Sequence, residues 1–179
     1  MTNNYFSYNL AVDLDGTVNS VCKLDSLYTH IQGNFFYSNI GQYVVEYSFP
    51  GTKVTALFFL NNTLYKNSAK DLNVNYGVTI LCNGLAEIDG NVLQNPRNRY
   101  QLSTTLQGSE VIINATSNWW GENMPDKIAS LIMDRTLDYR LSLTFAFKPF
   151  AKLPPQKVIS GKLQFCFVSF VRLFRNDRS

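Results

Sequence analysis

Charge is scarce in this 179-residue chain: 16% of its residues are Asp, Glu, Lys or Arg, against about a quarter in an ordinary soluble domain. Histidine occurs once, at His30, and cysteine three times, at Cys22, Cys82 and Cys166. A single histidine leaves a zinc cluster or a His-centred triad without partners. No glycine-rich phosphate loop is present. With a net charge of +3 and no Lys/Arg cluster among stacking aromatics, nucleic acid is not an expected partner. No stretch reaches the apolar length of a membrane span, and the opening MTNNYFSYN does not read as a signal peptide.

Asparagine, by contrast, recurs in a fixed setting. Asn4, Asn34, Asn62, Asn91 and Asn118 are separated by 30, 28, 29 and 27 residues. Each is followed two positions later by a large apolar residue: Phe6, Phe36, Leu64, Leu93 and Trp120. The position before each is small or polar, namely Asn3, Gly33, Asn61, Gly90 and Ser117. A second asparagine follows at Asn9, Asn39, Asn67 and Asn95. A turn residue at a fixed phase and a period in the high twenties is the signature of a solenoid.

Apolar residues lie five and three positions before the later markers, at Leu57 and Phe59, Ala86 and Ile88, Ile113 and Ala115. This period-two alternation marks a strand with one buried face entering each marker. The marker itself suits a sharp corner, because asparagine tolerates the left-handed backbone region. Stacked coils bring equal phases to the strand spacing of about 4.8 Å, where the five marker amides can bond as a ladder. The expected fold is all-β: a right-handed parallel β-helix of about five coils, over residues 1–151. An antiparallel sandwich is the alternative. Asn4 to Asn9 repeats the pattern of Asn34 to Asn39, so the chain is expected to open within a coil, as an excerpt of a longer one. Lys152-Leu153-Pro154-Pro155 breaks the pattern, and 152–179 is read as a linker or a tail outside the domain.

The last marker opens Asn118-Trp119-Trp120-Gly121. A helix is expected from 126 to 134, with Pro125 at its first turn and Ile128, Leu131 and Ile132 on one face. A strand to Lys148-Pro149-Phe150 follows. This order resembles the terminal coil of right-handed parallel β-helix domains. Together with Ile88-Asp89-Gly90-Asn91-Val92-Leu93-Gln94-Asn95-Pro96 it most resembles the animal cell-surface proteins of the bark beetle type. Trp119, Trp120 and Gly121 are read as an end cap, Trp120 closing the core and Trp119 lying under the helix. The resemblance implies a place at epithelial junctions and a glycan or protein ligand, within a larger membrane-anchored chain.

Enzymes with this fold, such as pectin-degrading lyases and hydrolases, gather carboxylates and bases from adjacent coils. Counted from their markers, Asp13, Glu46 and Asp71 stand at phases 9, 12 and 9, and Lys23 and Lys53 both at 19, with Glu110. The acidic trio has the chemistry of a calcium site, but a solvated surface is the preferred reading, and no catalytic residue, metal or cofactor is assigned. Cys22 and Cys82 are two coils apart, about 10 Å by strand spacing, and so are read as thiols. His30 is expected to face outward. Two sequons, at Asn61 and Asn114, are glycosylation candidates; Asn114 has an outward phase, whereas Asn61 is nearer the corner and its inward orientation is left open. The preferred function is a non-catalytic extracellular module for adhesion or ligand contact. A secreted carbohydrate-active enzyme or polysaccharide-binding domain is the rival.

Overall fold

The computed structural model describes residues 1–11, 18–48, 55–69 and 77–154. The chain winds into a parallel β-solenoid of about four turns with one short helix. The first coil carries β1 (Tyr5–Ser7), β2 (Cys22–Leu24) and β3 (Thr29–Gln32). The second has β4 (Phe35–Tyr37), β5 (Ile40–Gly41), β6 (Tyr43–Ser48) and β7 (Leu57–Leu60). The third has β8 (Thr63–Tyr65), β9 (Ser68–Ala69), β10 (Val78–Asn83) and β11 (Ala86–Asp89). The fourth has β12 (Val92–Gln94), β13 (Tyr100–Ser103) and β14 (Val111–Asn114), before α1 (Pro125–Ser130), β15 (Ile132–Met133) and β16 (Leu143–Ala146).

Three parallel walls result. Strands β1, β4, β8 and β12 form a corner sheet directly after the markers. Strands β3, β7, β11, β14 and β16 form the entry sheet that leads into them, and β2, β6, β10, β13 and β15 form the far sheet. The alternation in the entry strands is the buried one: Leu57, Phe59, Ala86, Ile88, Ile113 and Ala115 are all buried. From the corner sheet, Phe36, Leu64, Leu93 and Trp120 enter the same core. Burying each such side chain contributes about 1.5–3 kcal/mol.

The structure departs from the sequence reading at four places. The coil that Asn118 opens is incomplete at its corner, where Trp119 makes an isolated bridge to Val92, while its β15 and β16 pair with β13 and β14, so about four turns are complete. The left-handed backbone belongs to the residue before each marker: Asn3, Gly33, Asn61, Gly90 and Ser117 have φ of 53, 66, 53, 67 and 55°. The marker itself is freed from that strain and can be held by its side chain. The third departure is in the helix, which stops at Ser130; Ile132, expected on its face, pairs instead with Leu102. The open edge of β13 captures this β-branched residue once the helix ends at Leu131, whose ψ is 1°.

The fourth is phase. Cys22 follows its marker by 18 residues, Val45 by 11, Ile80 by 18 and Leu102 by 11, yet these residues are successive partners in the far sheet. The return compensates: Ile31, Phe59, Ile88 and Ile113 follow them by 9, 14, 8 and 11 residues. Extra length therefore sits before the far sheet in the first and third coils and after it in the second. The period between markers stays near constant while the phase inside each coil does not.

Candidate functional site

The marker corner is the most ordered polar structure in the molecule. Asn4 donates from its backbone N and Nδ2 to Asn34 Oδ1 at 2.9 and 3.0 Å. Asn34 does the same to Asn62 (2.9 and 3.0 Å), Asn62 to Asn91 (2.8 and 3.1 Å), and Asn91 to Asn118 (2.8 and 3.0 Å). The second Nδ2 proton finds a backbone carbonyl: Ile31 O for Asn62, Phe59 O for Asn91, Ile88 O for Asn118, at 2.8, 2.8 and 2.7 Å. Every interior amide is thereby satisfied, which is the condition for burying a polar row.

Asn9, Asn39, Asn67 and Asn95 build a second ladder beyond the short corner strands. Their paired bonds run from 2.8 to 3.0 Å, and Asn39 and Asn67 reach Phe6 O and Phe36 O. Gln101 ends it, accepting from Asn95 Nδ2 at 3.0 Å and donating to Asn95 O at 3.0 Å. The recurrence of these asparagines was visible in the sequence, but their bonding was not. Between the two ladders, Tyr8, Ser38 and Lys66 take positive φ of 53, 52 and 57°. The tight double corner holds the short strands β1, β4, β8 and β12 rigidly between two polar rails.

Those strands point a row of rings outward. Tyr5 stacks on Phe35 (centroids 5.0 Å apart), and Tyr37 stacks on Tyr65 at 6.0 Å. Tyr8, 67% exposed, meets Tyr37 edge-on at 5.4 Å, and Lys66 Nζ lies 5.0 Å from the Tyr65 centroid. A hydrogen bond from the Tyr8 hydroxyl lowers the Tyr37 phenol from its ordinary range and raises Tyr8. A cavity of about 290 Å³ adjoins this row, lined by Ser38, Ile40, Lys66, Ser68, Pro96 and Arg97. The sequence reading missed this face. Its signal was present: aromatic or polar residues one and three positions after each of the first three markers, opposite the apolar one at two.

At the C-terminal end Trp120 is 2% exposed and packs in the core with Ile128 of α1 and Phe145 of β16. Phe147 meets it edge-on at 6.5 Å. Gly121, with φ of 75°, turns the chain toward the helix. Lys127, Ser130 and Leu131 line a cavity of about 330 Å³ together with Trp120, so the helix sits over Trp120. Trp119 bridges Val92 at the corner and is half-buried. Asp134, which the sequence analysis did not single out, is buried and accepts from Phe145 N at 2.8 Å, Thr136 N at 2.8 Å and Thr136 Oγ1 at 2.6 Å. It ties the capping turn to β16.

Both sequon asparagines face solvent. Asn61 is exposed, its Oδ1 occupying the place that a Cβ on Gly90 would take. Asn114 is exposed at the end of β14, its Oδ1 accepting from Thr116 N at 3.3 Å. His30 is exposed and stacks on Phe58 at 4.5 Å. Among the described residues, opposite charges meet across unequal phases. Lys23 pairs in register with Glu46, at 3.3 Å, though their phases differ by seven. Glu110, at the phase of the two lysines but two coils beyond Lys53, pairs with Arg135 at 3.5 Å. Asp13, Lys53, Asp71 and Cys166 lie outside the described residues. Cys22 and Cys82 are free thiols, both pushed up by burial, to about 11 and about 12. Among the described residues no group of three His, Cys, Asp or Glu could hold a metal ion, and no helix is long and apolar enough to cross a membrane.

Comparison with known protein families, with curated proteins and with solved structures found no match for this chain.

Proposed function

We propose that this chain is a non-catalytic extracellular β-solenoid module that presents a rigid surface for adhesion or ligand contact within a larger cell-surface protein. The observation that carries the reading is the outward ring row from Tyr5 to Tyr65, fixed between two satisfied asparagine ladders. Such a surface costs little ordering entropy on binding, because the groups are already held. Ring edges and hydroxyls recur there through the first three coils, which suits an extended partner. The exposed sequons at Asn61 and Asn114 fit an extracellular setting. Resemblance of the NWWG end coil to bark beetle-type proteins supports an epithelial cell junction as the place of action, by likeness of motif alone.

The test is adhesion. The chain, secreted from animal cells and coupled to beads, is expected to retain beads on epithelial monolayers and to carry glycans on Asn61 and Asn114. Tyr37→Ser with Tyr65→Ser is expected to lower retention several-fold. Release of new reducing ends from acidic polysaccharides, in place of stable binding, would establish the carbohydrate-active enzyme instead.

A further inference from the structure

We propose that the corner face binds an anionic glycan, its acidic groups held by Lys66 and Arg97 and its ring hydroxyls set against Tyr37 and Tyr65. This rests on the contact-surface reading and names the ligand class for it. Lys23, Lys127, Arg135 and Arg140 are each neutralised by a carboxylate, at 3.3, 3.3, 3.5 and 2.7 Å. Lys66 and Arg97 are exposed and line one cavity of about 290 Å³; among the described residues they form no ion pair and the cavity wall has no carboxylate. Two cations left unneutralised at one concave place are complementary to an anion.

The aromatic geometry points the same way. Tyr37 and Tyr65 stack with an interplanar angle of 22°, so each covers a face of the other. What remains for a ligand is ring edge and phenolic hydroxyl, and the edge is the positive part of the ring quadrupole. Lys66 lies over the Tyr65 ring, leaving less of that face for a sugar to stack on. The ligand is therefore held by charge and hydroxyl contacts more than by ring stacking.

A glycan fits better than an acidic peptide. Strands β4 and β8 already pair on both sides, so their backbone offers no free edge for a peptide strand. The side chains offered are hydroxyls: Tyr37 and Tyr65 are register partners in adjacent coils, and Ser38 and Ser68 line the cavity. The two tyrosine rings follow each other along the solenoid axis with centroids 6.0 Å apart, so successive units of an extended saccharide can meet successive rings.

Calorimetry on the full chain tests this with four probes: a hyaluronan hexasaccharide (carboxylates alone), a chondroitin sulfate hexasaccharide, neutral chitohexaose and hexaglutamate. Binding of one or both acidic saccharides at least tenfold tighter than the other two is expected, and the two arms tell carboxylate from sulfate. Lys66→Gln with Arg97→Gln should weaken that binding at least tenfold and leave the melting temperature unchanged. Equal binding of chitohexaose or hexaglutamate, or an unchanged affinity in the double variant, overturns the proposal. No saccharide binding with adhesion retained would overturn the ligand class and leave the contact surface standing; loss of adhesion as well would remove both.

Discussion

At the marker corner each coil lays asparagine over asparagine at a spacing that hardly changes, whereas on the far sheet Cys22, Val45 and Ile80 meet at phases of 18, 11 and 18. The difference is one of chemistry. An amide ladder demands one residue type at one place, because a missing rung leaves buried donors and acceptors without partners. The far sheet asks only for an apolar side chain of suitable volume, as Val45, Ile80 and Leu102 supply, and its flanking segments absorb length. Polar bonding thus fixes register at the corner, whereas burial of the inward face carries most of the opposite wall, where Thr79 Oγ1 also donates to Gln101 Oε1 at 3.0 Å.

The sharpest way to break this comparison is insertion. One residue added between Asn62 and Asn67 should displace both ladders and turn Leu64 outward, leaving that coil unfolded by circular dichroism. The same insertion after Gly108, where a Cβ on the glycine would have nothing within 4 Å, should cost less than about 1 kcal/mol, since loop length is entropically cheap. Next in size is Trp120→Ala, expected to cost about 3–5 kcal/mol in thermal or denaturant melts, as deletion of a buried aromatic does. Asn62→Ala should cost on the order of 2–4 kcal/mol, because it strips four bonds and strands buried groups. Asn4→Ala, at the exposed end of the same ladder, should cost under about 1 kcal/mol. Equal losses from the two substitutions would remove the ladder's special role.

A pH titration sharpens the view of the far sheet. Burial pushes the Tyr47 phenol up from 10.0 to about 12 and the Cys82 thiol from 9.0 to about 12. Both groups are neutral in the folded wall, so their contribution is complete below the unfolded values. It is lost as pH rises from about 9 toward about 12. Melting temperature is expected to be level from pH 7 to 9 and to fall above it. The smallest effect belongs to Lys23→Ala, whose exposed ion pair with Glu46 is worth about 0–1 kcal/mol.

The same contrast explains what the sequence disclosed. Marker spacing, the inward pair before each marker and the apolar residue two after it were legible, because all three are local patterns around one residue. Asn3, Gly33, Asn61, Gly90 and Ser117 were noticed as small or polar, but their left-handed backbone was ascribed to the neighbouring asparagine. Glycine adds a second reason in this column: at Gly33 and Gly90 a Cβ would collide with the Oδ1 atoms of Asn3 and Asn61. Contacts across the far sheet were misread because Lys23 and Glu46 are partners only after unequal segments are threaded between them. The ring row at the corner was overlooked because Tyr37 and Tyr65, unlike the paired tryptophans, pass for ordinary strand residues. Asp134 gave no signal, since its partner Phe145 N lies in a strand eleven residues further on.

Side-chain amide hydrogen exchange, followed by NMR on the ¹⁵N-labelled chain, tests the ladder most directly. The NH₂ groups of Asn39, Asn62, Asn67 and Asn91 are expected to exchange only through unfolding of the coils, with protection approaching that of the β10 backbone. Exchange of those four groups at the rate of the exposed Asn61 and Asn123 side chains would contradict it.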